Sequence, residues 1–431
     1  MTRIIELVTG RLEVTADGGD MDLDALTGFA ARNNPRRGFL FVSRVLGKHL
    51  PVRPSAMLRA QRLLAGRLPD DLPRPLLCIG MAETATALGQ GVFEACMEDG
   101  AGTDGLYVHT TRYRLGELEC LSFDESHSHA ARHFLHLPRE AALRRLFAEA
   151  RTLVLVDDEM STGNTFANLA RAVRRHSPRL RRVAVATLIN WLAPPERAAL
   201  ARRFPCPVEF VQLLEGSFRF TPDPTYRFGA PARSEAEPVR RDAQLSLPGG
   251  RRGAAFGLTP LPVPCRPSSV AREPGTSLLV LGSGEFMYAP FRWALELEKA
   301  GHDVRFQATT RSPVLPGQAI GHVLTFEDNY GEGIDNFLYN VPPDRYDQVL
   351  VCYETPNPPP GHTLLRQLGG QAEAVFFMSG APEGASGAVP LGDGVAGDAP
   401  VRPAIRDGGA LRNPSPVISD AAGRAAPDRR L

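Results

Sequence analysis

The segment Thr152 to Thr165, TLVLVDDEMSTGNT, constrains this chain more than any other stretch. An apolar run short enough for a buried strand ends in two adjacent carboxylates, Asp157 and Asp158. Beyond Glu159 and Met160, a Ser-Thr-Gly-Asn-Thr turn opens the helical FANLARAVRRH. Ser161, Thr162, Asn164 and Thr165 bring hydroxyls and an amide, Gly163 permits close backbone approach, and the free N–H groups of a helix start favour an anion. A phosphate monoester fits that turn. Asp157 and Asp158 are hard oxygen acceptors, suited to gripping vicinal sugar hydroxyls or steadying Mg²⁺ through water. A phosphate cradle beside a diol grip describes a phosphorylated ribose. The alternative is a plain strand-to-helix turn with Ser161 or Thr162 as its N-cap.

Around this segment, strands are expected at residues 74–80, 105–111, 152–158 and 182–190, with helices over Glu83–Met97, Pro138–Arg151 and Thr165–His176. Such alternation gives α/β architecture with a parallel sheet, whose ligand sits at the carboxyl ends of the strands. The 431 residues suffice for roughly two to three domains. Pro (38) and Gly (41) are too frequent for one compact fold, and they concentrate in two stretches. The chain accordingly divides into a first domain (1–230), a disordered linker (231–276), a second, smaller α/β domain (277–380) and a disordered tail (381–431).

Lys plus Arg (49) nearly cancel Asp plus Glu (48), so no whole-chain field draws nucleic acid or a membrane surface. The six cysteines lie far apart and indicate neither a zinc knuckle nor a disulfide framework. With no long apolar segment, a cytoplasmic protein acting on small molecules is expected, and a homodimer is a candidate assembly.

Two acids at a strand end, two residues, then a small Ser/Thr-Gly-x-Thr loop resembles the phosphoribosyl-diphosphate signature of type I phosphoribosyltransferases. The resemblance implies that family's parallel sheet flanked by helices, with phosphoribosyl diphosphate as co-substrate and Mg²⁺ held near Asp157 and Asp158. It also places a diphosphate loop at Gly80, Met81, Ala82, Glu83, Thr84 and Ala85, where the bland alternative is a capped helix. The stretch 109–136 takes the position of a closing lid, with Arg112 to neutralise the leaving diphosphate and His127 and His129 to donate protons or hydrogen bonds. Arg36, Arg37, Arg44, Lys48 and His49 form either a hood over the acceptor, with Lys48 and His49 the better candidates, or a solvated basic face. Many members of the family carry an Asp at the first loop position, and Ser161 stands there in this chain. A serine hydroxyl is no base at neutral pH, so Glu159 is the candidate base unless the acceptor ionises readily.

In the second domain, Gly282-Ser283-Gly284 follows a strand as a tight turn or a weak phosphate cradle, and Arg311 among Thr309, Thr310 and Ser312 suits an anion. The motifs RVLGKH, GMAETA, SHSHA and VDDEMSTGNT, followed by Thr310-Arg311-Ser312-Pro313, resemble the phosphoribosyltransferase of bacterial tellurium-resistance clusters fused to a TRSP domain. That resemblance implies the making of a nucleotide-like metabolite in a stress-response operon from phosphoribosyl diphosphate and a base-like nitrogen nucleophile. The rival is a non-catalytic sensor of phosphoribosyl diphosphate or nucleotide with the same fold. A third reading makes the GSGE unit the enzyme and the first domain its feeder.

Overall fold

The strands LLCIG, GLYVH, TLVLVDDEM and RVAVATLIN are apolar on both faces, the pattern of parallel strands covered by helices on either side. A computed structural model describes residues 2–35, 37–98, 104–116, 118–123, 133–229, 245, 247–265, 270 and 275–379. In it these strands form the centre of a large sheet. Its order is Thr2–Leu7, Gly10–Gly19, Val208–Pro222, Arg182–Asn190, Thr152–Met160, Leu76–Gly80, Gly105–His109 and Ala254–Ala255. Neighbours from Val208–Pro222 across to Gly105–His109 run parallel, and the outer strands pair antiparallel.

Alternation along each strand assigns the two faces. Val154 and Val156 pack with Leu64 and Phe93 of the helices Pro54–Ala65 and Thr86–Glu98. Leu153 and Leu155 pack on the other side with Phe147 of Ala141–Glu149 and Phe166 and Leu169 of Asn164–His176. The chain is therefore α/β, with a mostly parallel central sheet between helical layers and a smaller second sheet.

That second sheet runs Val263–Pro264, Ala372–Met378, Gln348–Tyr353, Ser277–Gly282, Asp303–Ala308. From the central Ser277–Gly282 the chain crosses to Asp303–Ala308 on one side and later returns to Gln348–Tyr353 on the other. The strand order thus reverses there, and the crevice of such a sheet opens at the carboxyl end of that strand. The helix Tyr288–Lys299 packs against this sheet together with Val52, Met57 and Ala87 of the first half, so one apolar cluster spans both halves. A second shared cluster joins Ala30 and Val42 to Val314, Phe337 and Tyr339.

Part of the segment expected to be a linker is built into both sheets. Ala254–Ala255 pairs with Gly105–His109, Val263–Pro264 pairs with Ala372–Met378, and Arg251 is buried. The physical reason is charge compensation: two carboxylates distant in sequence compensate the buried Arg251, which local composition does not reveal. The expected tail, 381–431, lies outside the described residues. Among the described residues no helix is long and apolar enough to cross a membrane.

Candidate active site

Asp157 and Asp158 stand at the carboxyl end of Thr152–Met160, as expected. The Asp158 amide donates to Asp157 Oδ1 (2.9 Å) and the Glu159 amide to Asp158 Oδ1 (3.1 Å). Burial pushes the Asp157 carboxyl well up, and the neighbouring Asp158 adds to it. Burial and then the charge of Glu159 push Asp158 up to about 6. The cations of this region pair elsewhere among the described residues, Arg37 with Glu159 and Lys48 with Glu83. Two adjacent carboxyls that resist ionising together favour a hard cation or a diol as their partner. No group of three or more His, Cys, Asp or Glu is placed to hold a metal among the described residues. Mg²⁺ is commonly held by one or two carboxylates plus substrate phosphates, so this donor set fits an ion arriving with a diphosphate.

The turn that follows is shaped by Gly163. Its φ is +67°, and an added Cβ would lie 2.2 Å from Leu200 Cδ2. Only glycine meets both demands. The helix Asn164–His176 begins there without a side-chain cap, and its last turn carries Arg174, Arg175 and His176 against the dipole. Ser161, Asn164 and Thr165 are half-buried at this start and Thr162 is exposed, with Arg203 donating to Asn164 Oδ1. The turn thus brings hydroxyls to the positive end of the helix dipole, and the Asn164 amide makes a long bond to Thr162 Oγ1 (3.5 Å).

The neighbouring loop leaves the strand Leu76–Gly80. A Cβ on Gly80 would meet Tyr107 Oη at 2.5 Å and the Ala85 carbonyl at 2.8 Å, which fixes glycine there. The Met81 amide donates to the Val156 carbonyl (2.9 Å), Ala82 to Thr110 Oγ1 (2.8 Å) and Ala85 to the Met81 carbonyl (2.9 Å). These donors are therefore spent inside the protein. The expected diphosphate surface narrows to the Glu83 and Thr84 amides, and the helix begins at Thr86, later than Glu83. The Glu83 side chain turns to the seam between the halves, where Lys48 Nζ lies 2.8 Å away and the Arg311 amide 3.3 Å. Burial raises its carboxyl, but Lys48 and Arg311 more than offset that and hold it below the usual carboxylate range.

Lys48 and His49 do not line an open hood. Gly47, at φ +64°, lets the chain run beside the second sheet, with Val52 and Phe306 exchanging backbone hydrogen bonds of 3.0 and 2.8 Å. Lys48, 1% exposed, donates to the Gly284 carbonyl (2.9 Å), and burial followed by the Lys48 charge pushes His49 down to about 3. Both residues therefore belong to the seam, because pairing with Glu83 satisfies the lysine there. Glu159, the candidate base, is engaged by the Arg37 guanidinium and by Trp191 Nε1 (3.0 Å). One oxygen takes Arg37, in the loop of the hairpin Thr27–Ala31/Phe39–Ser43, and the other takes Trp191, on which Phe41 of that hairpin stacks at 4.4 Å. Arg112 lies in the seam, its amide donating to Glu285 Oε1 (2.8 Å). Arg36, His127 and His129 lie outside the described residues.

Sequence reasoning missed the most heavily bonded polar cluster of the seam. Arg251 forks onto Glu354 (2.8 and 3.0 Å), and its Nε donates to Glu285 Oε2 (2.8 Å) and Thr111 Oγ1 (3.1 Å). Thr111 Oγ1 donates to Glu285 Oε2 (2.6 Å), and Tyr330 to Glu354 Oε1 (2.6 Å). The glycine loop of the second half is thus no phosphate cradle. A Cβ on Gly282 would strike the Phe286 carbonyl at 2.4 Å, and the tight turn delivers Glu285 to the first half. The available signal was an acid directly after that loop and the Arg251-Arg252 pair inside a Pro/Gly-rich stretch.

Residues 26–217 match the family model described as "Phosphoribosyl transferase". The class of protein that fold and match define is a phosphoribosyltransferase enzyme. Residues 266–368 match "TRSP domain C terminus to PRTase_2", so the particular arrangement is that transferase domain followed by a TRSP domain in one chain. No curated protein matches it. Solved structures that it resembles include the adenine phosphoribosyltransferase of Rhodothermus marinus, at 17% identity over 44% of this chain and 95% of that one, with a TM-score of 0.28. Another is APRTase from Giardia lamblia complexed with 9-deazaadenine (16% identity, 46% and 98% coverage, TM-score 0.32). A third, adenine phosphoribosyl transferase from Trypanosoma brucei, is in complex with AMP, pyrophosphate and ribose-5-phosphate (13% identity, 44% and 77% coverage, TM-score 0.30).

Proposed function

We propose that this enzyme transfers the phosphoribosyl group of phosphoribosyl diphosphate to a base-like nitrogen nucleophile, with Mg²⁺, releasing diphosphate. The observation that carries the proposal is one strand and one helix presenting the acid pair and the glycine-turned, uncapped N-terminus side by side. Ser161 to Thr165 would hold the 5-phosphate, Asp157 and Asp158 the ribose hydroxyls and the hydrated ion, and the Glu83 and Thr84 amides the diphosphate. When bound, Mg²⁺ would offset charge developing on the leaving diphosphate. Glu159 is committed to Arg37 and Trp191, so we assign it to positioning the hairpin and infer an acceptor that ionises without a carboxylate base.

Calorimetry with phosphoribosyl diphosphate and Mg²⁺ tests this. The wild type should bind and Asp157→Asn with Asp158→Asn should not; equal binding by both proteins would sink the assignment. One observation favours a non-catalytic sensor as second reading: Ser161 replaces an acid and Glu159 is engaged, leaving no carboxylate base among the described residues of the turn. Diphosphate release against a panel of nitrogenous bases separates the two readings, since a sensor releases none. A cytoplasmic site of action, a homodimer and a role in a tellurium-type stress operon belong to the same proposal. A metabolite that disappears from cell extracts when the gene is deleted would support the last of these.

A further inference from the structure

The Thr-Arg-Ser-Pro motif lies far from the acid pair in sequence, yet Arg311 stands at the edge of the first-half site. Its amide donates to Glu83 Oε1, in the narrowed diphosphate loop (3.3 Å). Its guanidinium lies 4.6 Å over the ring of Tyr113, the residue after Arg112. Among the described residues its side chain makes one hydrogen bond, a long one of 3.4 Å to Glu332 Oε2. A guanidinium carries five N–H donors. The side chain is 13% exposed, against 7% for Arg251 and 1% for Lys48.

Arg251 makes the contrast. It also lies over Tyr113 (5.1 Å), but its donors go to Glu354, Glu285 and Thr111. Lys48, the other cation that contacts Glu83, is sealed between that carboxylate and the Gly284 carbonyl. Of the cations described at the diphosphate loop, Arg311 therefore keeps donors in reserve, beside the Glu83 and Thr84 amides that are also unspent.

We propose that Arg311 is a diphosphate ligand, supplied by the second half to the site of the first. The proposal rests on the phosphoribosyl diphosphate reading above. A planar guanidinium matches two phosphate oxygens as a fork, and the Tyr113 face sets the plane in which that fork is held. The role of the second half then includes completing the transferase site, and the loop order Glu83, Arg112, Tyr113, Arg311 forms one wall made from both sheets.

Full-length protein is titrated calorimetrically, with Mg²⁺ present, against inorganic pyrophosphate, phosphoribosyl diphosphate and ribose 5-phosphate. Arg311→Ala is expected to weaken the first two at least tenfold and to leave ribose 5-phosphate within twofold, because the Ser161 to Thr165 turn is untouched. Arg311→Lys should fall between, since it keeps the charge and loses the fork. Pyrophosphate binding unchanged in Arg311→Ala overturns the proposal, and so does an equal loss of all three ligands, the signature of a strut. Should Arg311→Ala not fold, Glu332→Gln decides: it loosens the long pair, and pyrophosphate binding should be equal or tighter, whereas weaker binding overturns the proposal. A wild type that binds ribose 5-phosphate but no diphosphate also overturns it while sparing the phosphate turn. A wild type that binds none of the three removes the phosphoribosyl reading together with it.

Discussion

Glu285→Gln measures how tightly the two halves are joined. The carboxylate accepts from Thr111 Oγ1 (2.6 Å), the Arg112 amide (2.8 Å) and Arg251 Nε (2.8 Å), and it is 3% exposed. Burial alone would raise its pKa, but Arg251, then His109, Thr111 and Arg112 hold it down at about 2 against an ordinary 4.5. A depressed carboxyl contributes its stability fully above the unfolded value and loses it as pH falls through the folded one, so the window runs from 4.5 down to about 2. At about 1.4 kcal/mol per pKa unit, the shift corresponds to roughly 3 kcal/mol. Glutamine conserves the volume, opens no cavity and leaves Glu354 as the carboxylate paired with Arg251, so a cost of about 3 kcal/mol at pH 7 is expected. Urea unfolding reads it through the two tryptophans, Trp191 beside the first sheet and Trp293 on the helix of the second. With a slope of roughly 3 kcal/mol per molar urea, the midpoint should fall by about 1 M at pH 7, with the gap to wild type narrowing between pH 4 and pH 3. A loss under about 1 kcal/mol, or a gap that ignores pH, would refute the assignment of a charged, bonded Glu285 to the seam.

Two further substitutions probe the site itself. Gly163→Ala must adopt φ +67° and place a methyl 2.2 Å from Leu200 Cδ2; a cost of roughly 2 to 5 kcal/mol is expected, and ribose 5-phosphate binding by calorimetry should drop at least about tenfold. Glu159→Gln should slow diphosphate release by less than about tenfold and leave its pH profile in place, because the side chain holds Arg37 and Trp191; a loss of about a hundredfold or more would restore it as the base.

Local pattern made the first half legible. Arg182–Asn190 is the strand expected at 182–190, and Thr152–Met160 extends the one expected at 152–158 by the two residues that carry Glu159 into its pair. The acid pair and the Gly163 turn could be read because strand, acids and helix start are contiguous. The seam could not, since its partners lie far apart: Arg251 is 103 residues from Glu354 and 140 from Thr111. A Pro/Gly/Arg-rich stretch also has too few apolar residues to announce burial, and in this chain two carboxylates compensate the buried Arg251. Lys48 and Glu83 misled for the same reason. Each reads as a ligand-binding residue in the sequence, and each is neutralised by the other within the seam.

The buried carboxylates of the second half have a consequence for how the protein can be inherited and assembled. Glu285 and Glu354 share Arg251, which arrives on the segment that joins the halves, so the second half brings two buried carboxylates to the contact against one guanidinium. Two separate polypeptides would have to find each other while exposing those carboxylates. Tethering replaces the search with an effective concentration on the order of millimolar. If Arg311 ligates the diphosphate as proposed, a break in the reading frame after the first half would remove part of the site and the partners of a buried charge together.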